Sequence, residues 1–340
     1  VTNGDSDCTA QGGTYQGNGS VCTPNPCPPP TGACCLPDAT ATCNEVDQTT
    51  CDGQGGTFSG ALTVCTPNPC PVLLTPFVDS LPIPAVAQPT TGEAGAEASY
   101  TLAMREVQQQ LHRDLANPTT VWGYGDGAGA SYPGPTIEAA TNKPVTVTWA
   151  NDLRDTSAGG NPPPLRTDHY LPVDTCPHGA FANKDAWTVV HLHGAHVAPE
   201  FDGYPEDTFP PGQQVVYQYP NAQLPATLWY HDHALGITRL NVYMGLAGVY
   251  ILRDNVEEAL ALPACDGECV PGQPRDYDIP LAIQDRAFNP DGSLSYPADW
   301  QEVFFGDTIL VNGKVWPFLD VKQGKYRFRL LNGSGSRTYT

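Results

Sequence analysis

Basic side chains are scarce. The 340 residues carry 16 Lys and Arg against 36 Asp and Glu, a formal net charge of −20. Such a surface repels phosphate backbones and anionic headgroups, which makes nucleic acid and acidic membranes poor partners. Long apolar runs are also missing: the longest, Met244–Leu252, is about half of the roughly 20 residues a bilayer crossing needs. No membrane span is expected. Val1 and the polar Thr2–Ser6 stand where an initiator Met or hydrophobic export segment would be, so the expected N-terminus was removed or lies upstream. Long helices are disfavoured by 34 Gly and 35 Pro, about a fifth of the chain. The length exceeds the usual domain of about 100–200 residues, so two or more units are expected.

What is abundant at the start is cysteine. Nine of the 12 cysteines fall within residues 1–70, where QGGTYQGNGSVCTPNPCP (11–28) returns as QGGTFSGALTVCTPNPCP (54–71), a period of 43 residues. Cys8, Cys22 and Cys27 recur as Cys51, Cys65 and Cys70; Cys34, Cys35 and Cys43 complete the second copy and have no counterparts in the first. A module this small buries too little apolar surface to fold unaided and is normally stapled by disulfides. A zinc cluster is the competing reading, disfavoured because paired C-x2-C knuckles are absent and no histidine precedes His112. Disulfides imply an oxidising compartment. Their connectivity cannot be read from spacing.

After a Pro-rich connector over 72–89, short β-branched or aromatic runs alternate with turn residues: Pro144–Trp149, Trp187–His193, Gln214–Tyr219, Leu246–Leu252, Thr308–Val311 and Lys325–Leu331. This is the pattern of an all-β sandwich or barrel. Two segments read differently: apolar spacing predicts an amphipathic helix over Leu102–Leu115 and a helical turn over Val256–Leu262.

Two His-x-His pairs end strand-like runs, His191-Leu192-His193 and His231-Asp232-His233. On a strand, residues i and i+2 share a face, so each pair sets two imidazoles side by side, roughly 6–7 Å apart at the backbone. One isolated pair would be read as ordinary satisfied histidines, but two pairs on two strands point to metal. Imidazoles without thiolates suit copper, zinc, iron or nickel.

At these boxes the chain resembles the multicopper oxidases, in particular the bacterial spore-coat laccase and bilirubin oxidase branch. The matching text is FVDSLPIP (77–84), QLHRDL (110–115), WGY (122–124), YPGPTIE (132–138), VVHLHG (189–194), DGYPE (202–206), LWYHDHALGITRLNVYMGLAGVYIL (228–252), TILVNGKVWPFLDV (308–321) and YRFRLLNGS (326–334). The resemblance covers about residues 75–340 and implies cupredoxin-like Greek-key barrels. The expected organisation is Cys-rich repeats over 1–71, the connector over 72–89, a first cupredoxin domain over 90–255, then a linker and incomplete second cupredoxin domain over 256–340. By position, His191 would ligate a type 2 copper and His193, His231 and His233 a type 3 pair, half of a trinuclear site that reduces O2 to water. Asp202 matches an acidic residue that assists proton delivery; Asp-Gly is equally a turn signal. Glu206 reads as a solvated loop charge.

The implied activity is that of a secreted, laccase-like oxidoreductase oxidising a phenol, a bilirubin-like pigment or a metal ion such as Mn(II). The sequence departs from the family in lacking the third domain's boxes, and with them the type 1 ligands. Cys176-Pro177-His178 does not supply a type 1 set. The chain is therefore expected to be a fragment, inactive without the missing domain in cis or from another chain. Cys176 reads as a free thiol or disulfide partner, Cys265 and Cys269 as a small disulfide loop, His112, His169 and His196 as ordinary polar contacts, and Arg239 as structural. A non-catalytic extracellular copper-binding or adhesion protein, with the repeats contacting an envelope or matrix, is the alternative. A zinc hydrolase is weaker, because no H-E-x-x-H accompanies the pairs.

Overall fold

The structure, a computed structural model, describes residues 29–340 except positions 39, 67, 69, 128 and 181–184. The first copy of the repeat, through Pro28, lies outside the described residues. Contacts divide the chain into two units, Val1–Leu73 and Leu74–Thr340.

In the first unit, strands β1 (Gly32–Cys35), β2 (Cys43–Val46) and β3 (Thr57–Phe58) form a sheet in the order β2-β1-β3. A short helix, α1 (Gln48–Gly53), starts at Asp47, whose side chain accepts the Thr50 N–H. The six cysteines of the second repeat copy pair among themselves as Cys34–Cys51, Cys35–Cys70 and Cys43–Cys65. Cys35, Ala41 and Cys70 make the small core, so the disulfides supply much of the apolar interior that the sequence lacks.

The second unit opens with β4 (Thr91–Gly92), β5 (Ala98–Gln109), β6 (Thr119–Gly125), β7 (Gly134–Ala140) and β8 (Val145–Asn151). It continues with β9 (Val190–His193), β10 (Gln214–Tyr219), β11 (Ala226–Asp232), α2 (Thr238–Met244) and β12 (Ala247–Arg253). These strands form two facing sheets, β10-β8-β5-β4 with β6 also paired to β5, and β7-β12-β11-β9. Trp149, Tyr124 and Tyr230 fill the space between them with ring centroids 5.0–5.5 Å apart. The fold is all-β and cupredoxin-like, as expected.

The helix expected over Leu102–Leu115 is not formed. Residues 98–109 are strand β5, hydrogen-bonded to β4 and β6 on one side and β8 on the other. Tyr100, Leu102 and Met104 are buried with a period of two, and this burial outweighs a helical apolar spacing that was only local. Residues 110–115 then turn, held by His112 Nε2 against the Thr75 carbonyl at 2.9 Å.

After α3 (Asn255–Ala259), the helical turn anticipated near Val256, come β13 (Asp278–Arg286), β14 (Thr308–Val311), β15 (Lys314–Val315) and β16 (Arg327–Asn332), in the sheet order β15-β14-β13-β16. From Leu74 onward the Pro-rich stretch belongs to this unit rather than hanging free: its backbone donates at Leu81 to Phe318 and at Ala87 to Thr136. A buried ion network ties β12, α3, β13 and β16 together. The Asp278 carboxylate accepts from Arg253 Nη1 at 2.7 Å and from Arg329 Nε and Nη2 at 2.7 and 2.8 Å. Glu257 and Glu138 balance the same guanidinium groups.

Candidate metal centre

Strands β9 and β11 run antiparallel with His231 directly opposite His191 and Trp229 opposite His193. Alternation sends Val190, Leu192, Tyr230 and Asp232 into the core, where each is at most 1% exposed. Their neighbours His191, His193, Trp229 and His231 therefore share the other face. His233, one step beyond the ladder, joins them. Ring centroids are 5.5 Å apart for His191 and His231, 5.2 Å for His191 and His233, and 5.5 Å for His193 and His231.

Ligand nitrogens of His191, His193 and His231 lie within 4.8 Å of one another. Second partners fix which nitrogen is free. His191 Nδ1 donates to the Asp202 carbonyl and His231 Nδ1 to the Asp232 carbonyl, each at 2.6 Å. A carbonyl only accepts, so both rings carry their proton on Nδ1 and keep a lone pair on Nε2. His193 Nδ1 approaches His231 Nε2 at 3.2 Å, and His233 Nδ1 is buried with no partner. Burial pushes His231 down to about 3, with the neighbouring histidines adding to the shift against the Asp232 carbonyl. Burial and the charges of His191 and His233 also lower His193. Clustered imidazoles with no thiolate among them fit a borderline metal such as copper.

Asp202 stands behind His191. Its Oδ1 is 3.4 Å from His191 Nδ1, and its side chain is half exposed; Glu206 is exposed. Gly203 makes this approach feasible: its φ is +77°, and a Cβ there would sit 2.1 Å from the Val190 carbonyl oxygen. The remaining candidates are held by other partners or stand free. His169 bonds Asn241, His196 faces the Ala222 carbonyl, Arg239 donates to the Gly236 carbonyl, Cys265 pairs with Cys269, and Cys176 is an exposed free thiol.

Sequence reasoning missed Trp229, whose ring centroid lies 4.0 Å from that of His231 and 5.4 Å from that of His193. The rule that grouped the histidines, two residues apart on one strand, would have found it. A cavity of about 350 Å3 opens beside Trp229 and His231, walled by Arg239, Tyr243, Arg286 and Tyr296. Among the described residues no helix is long and apolar enough to cross a membrane.

A cupredoxin-like sandwich with two His-x-His boxes converging on one face defines a copper oxidase scaffold. The sequence model of the family described as Multicopper oxidase matches residues 181–257, which contain His191, His193, His231 and His233. The chain belongs to the multicopper oxidase family. Among its relatives, a laccase of Bacillus stratosphericus is 45% identical over 289 residues, covering 78% of this chain and 51% of the relative. A laccase of Bacillus subtilis is 43% identical with the same coverage. The crystal structure of a laccase from Pediococcus acidilactici superposes with a TM-score of 0.59 at 29% identity, over 78% of this chain and 48% of that one. The chain thus spans about half the length of the relatives it matches.

Proposed function

We propose that this chain supplies the dioxygen-side ligands of a secreted, laccase-like multicopper oxidase. The observation that carries the reading is the convergence of imidazoles from β9 and β11, with donor nitrogens within 4.8 Å. His191 is assigned to the type 2 position and His193, His231 and His233 to the type 3 positions. Copper bound there would supply one-electron redox chemistry for reducing O2 to water, with electrons drawn from a phenol, a pigment or a metal ion.

The chain's own residues prepare the centre. The carbonyls of Asp202 and Asp232 hold protons on His191 Nδ1 and His231 Nδ1, which keeps the opposite nitrogens available. Water formation consumes protons, and the half-exposed Asp202 carboxylate, within 3.4 Å of His191 Nδ1, is suited to pass them inward from solvent. No cysteine of the chain has the flanking histidines of a type 1 copper, so substrate electrons must arrive through ligands outside these residues. Alone, the chain is a metal-binding half-site without oxidase activity. The disulfide-stapled second copy of the repeat fits an extracellular setting and a role in attachment to an envelope or matrix.

Copper content after loading with Cu(II) and exhaustive dialysis tests the reading. The wild-type chain should retain copper, and His191→Ala and His233→Ala should each reduce it. Retention unchanged by both substitutions would refute the assignment.

A further inference from the structure

The face of β11 turned away from the histidines holds a carboxylate with no surface exposure. Asp232 Oδ2 accepts the Val189 N–H at 3.0 Å, while Oδ1 accepts the Ala234 N–H at 2.9 Å and Asn241 Nδ2 at 2.8 Å. Val189 lies two residues before His191, and Ala234 directly follows His233. Ladder pairing between β9 and β11 ends at Asp232 opposite Val190. Past that point the His233 N–H returns to the Val189 carbonyl at 2.8 Å, and the Asp232 carboxylate closes the other side of the same junction. One buried side chain thus ties together the backbones that carry both histidine pairs.

Asn241, on α2, orients this carboxylate, and its own orientation is fixed in turn. His169 Nδ1 lies 2.9 Å from the Leu171 N–H and 3.2 Å from the Leu171 carbonyl, and its Nε2 is 3.0 Å from Asn241 Oδ1. Because both groups facing Asn241 Nδ2, the Asp232 carboxylate and the Trp187 carbonyl, only accept, Oδ1 is the end turned to His169, whose Nε2 donates to it. Asn241 Nδ2 thus donates to Asp232 at 2.8 Å and to the Trp187 carbonyl at 3.0 Å. Asp232 and Asn241 are wholly buried and His169 nearly so. An isosteric amide at position 232 cannot replace the acid, because all three of its contacts are N–H donors and an amide offers a single acceptor oxygen.

We infer that Asp232, held by Asn241 and His169, is a positioning residue that sets the spacing of the two histidine pairs for metal. The inference rests on the metal-centre reading. Groups beyond the ligands that orient them typically change metal affinity about 10- to 100-fold when removed.

The test uses the full chain with Cu(II) as probe, affinity measured by chelator competition and ligand geometry by electron paramagnetic resonance. Asp232→Asn should bind Cu(II) at least tenfold more weakly than wild type, with changed hyperfine splitting. Asn241→Ser, which leaves the carboxylate but removes its orienting donor, should move both readouts in the same direction and keeps the test open if Asp232→Asn does not fold. Tyr230→Phe, on the same strand as Asp232, loses a buried bond to the Pro135 carbonyl of β7 and should lower stability yet leave affinity and spectrum unchanged. Affinity within twofold of wild type and an unaltered spectrum in the folded Asp232 or Asn241 variants would overturn the positioning role while the metal centre stands. Equal weakening by Tyr230→Phe would overturn it too, because binding would then merely follow stability. Failure of the wild-type chain to take up Cu(II) would remove the metal-centre reading itself, and this inference with it.

Discussion

Replacing Asp278 by Asn should cost the second unit about 3 kcal/mol. The carboxylate is 1% exposed and receives three hydrogen bonds from Arg253 and Arg329, with Glu138 and Glu257 sharing the same guanidinium groups. Removing one partner of a buried ion pair typically costs about 3–5 kcal/mol, because an uncompensated charge is left behind. The remaining acids soften the loss and place the expectation at the lower end. For a unit of this size that corresponds to a fall in Tm of about 6–12 °C. Acid dependence gives a second readout. Burial alone would raise the Asp278 pKa, but hydrogen bonds from Arg329 and Arg253 and their charges outweigh it and hold the carboxyl below its ordinary 3.8. A depressed carboxylate stabilises the fold above the unfolded value, and that stability is lost as pH falls through the folded value. Wild type should therefore lose more stability below about pH 4 than Asp278→Asn does. Thermal unfolding followed by circular dichroism from about pH 3 to about pH 7, which spans the titration of ordinary carboxylates, measures both effects. A Tm change under about 2 °C at neutral pH would refute the reasoning.

Burial pushes His169 down to about 4 despite its bonds to Asn241 and Leu171, so its neutral form is what the fold accommodates. Its stability contribution is complete above about 6.5 and declines as pH falls toward 4, by up to about 3 kcal/mol. His169→Gln should flatten this decline in a pH series of urea titrations, and an equal slope would contradict the assignment. Gly203→Ala should force Asp202 away from His191, since the new Cβ overlaps the Val190 carbonyl at a left-handed φ. Weaker Cu(II) binding is expected, and unchanged affinity would show that this turn does not set the ligand. Joint Cys35→Ser and Cys70→Ser substitution opens a link spanning 35 residues and should cost the first unit about 2–5 kcal/mol. Limited proteolysis should then cut residues 29–73 faster, and an unchanged cleavage rate would count against the disulfides as its main support.

The histidine face was legible because a strand's two-residue period needs only local sequence. His191, His193, His231 and His233 could be grouped without knowing how β9 and β11 pair. Gln214–Tyr219 and Thr308–Val311 likewise read as strands and form β10 and β14 with the same bounds. Less visible was β5 with the turn that follows it, where Leu102, Leu111 and Leu115 imitate a helical stripe until neighbouring strands claim Tyr100, Leu102 and Met104. Strand β13 was hidden by its own polarity. Asp278, Asp285 and Arg286 look like surface residues, yet all three are buried, Asp278 because Arg253 and Arg329, distant in sequence, neutralise it. The pairing of six cysteines and the clamp at Asp232 depend on contacts across 17 to 43 residues, which spacing alone does not encode.

X-ray absorption at the copper edge of the Cu(II)-loaded chain asks whether imidazoles from two strands grip one metal centre. The expected spectrum has a nitrogen and oxygen shell with the multiple-scattering signature of imidazole and no sulfur, and that signature weakens in His191→Ala and His231→Ala. A sulfur shell, or an imidazole signature indifferent to both substitutions, would place copper elsewhere and contradict a metal centre built on β9 and β11.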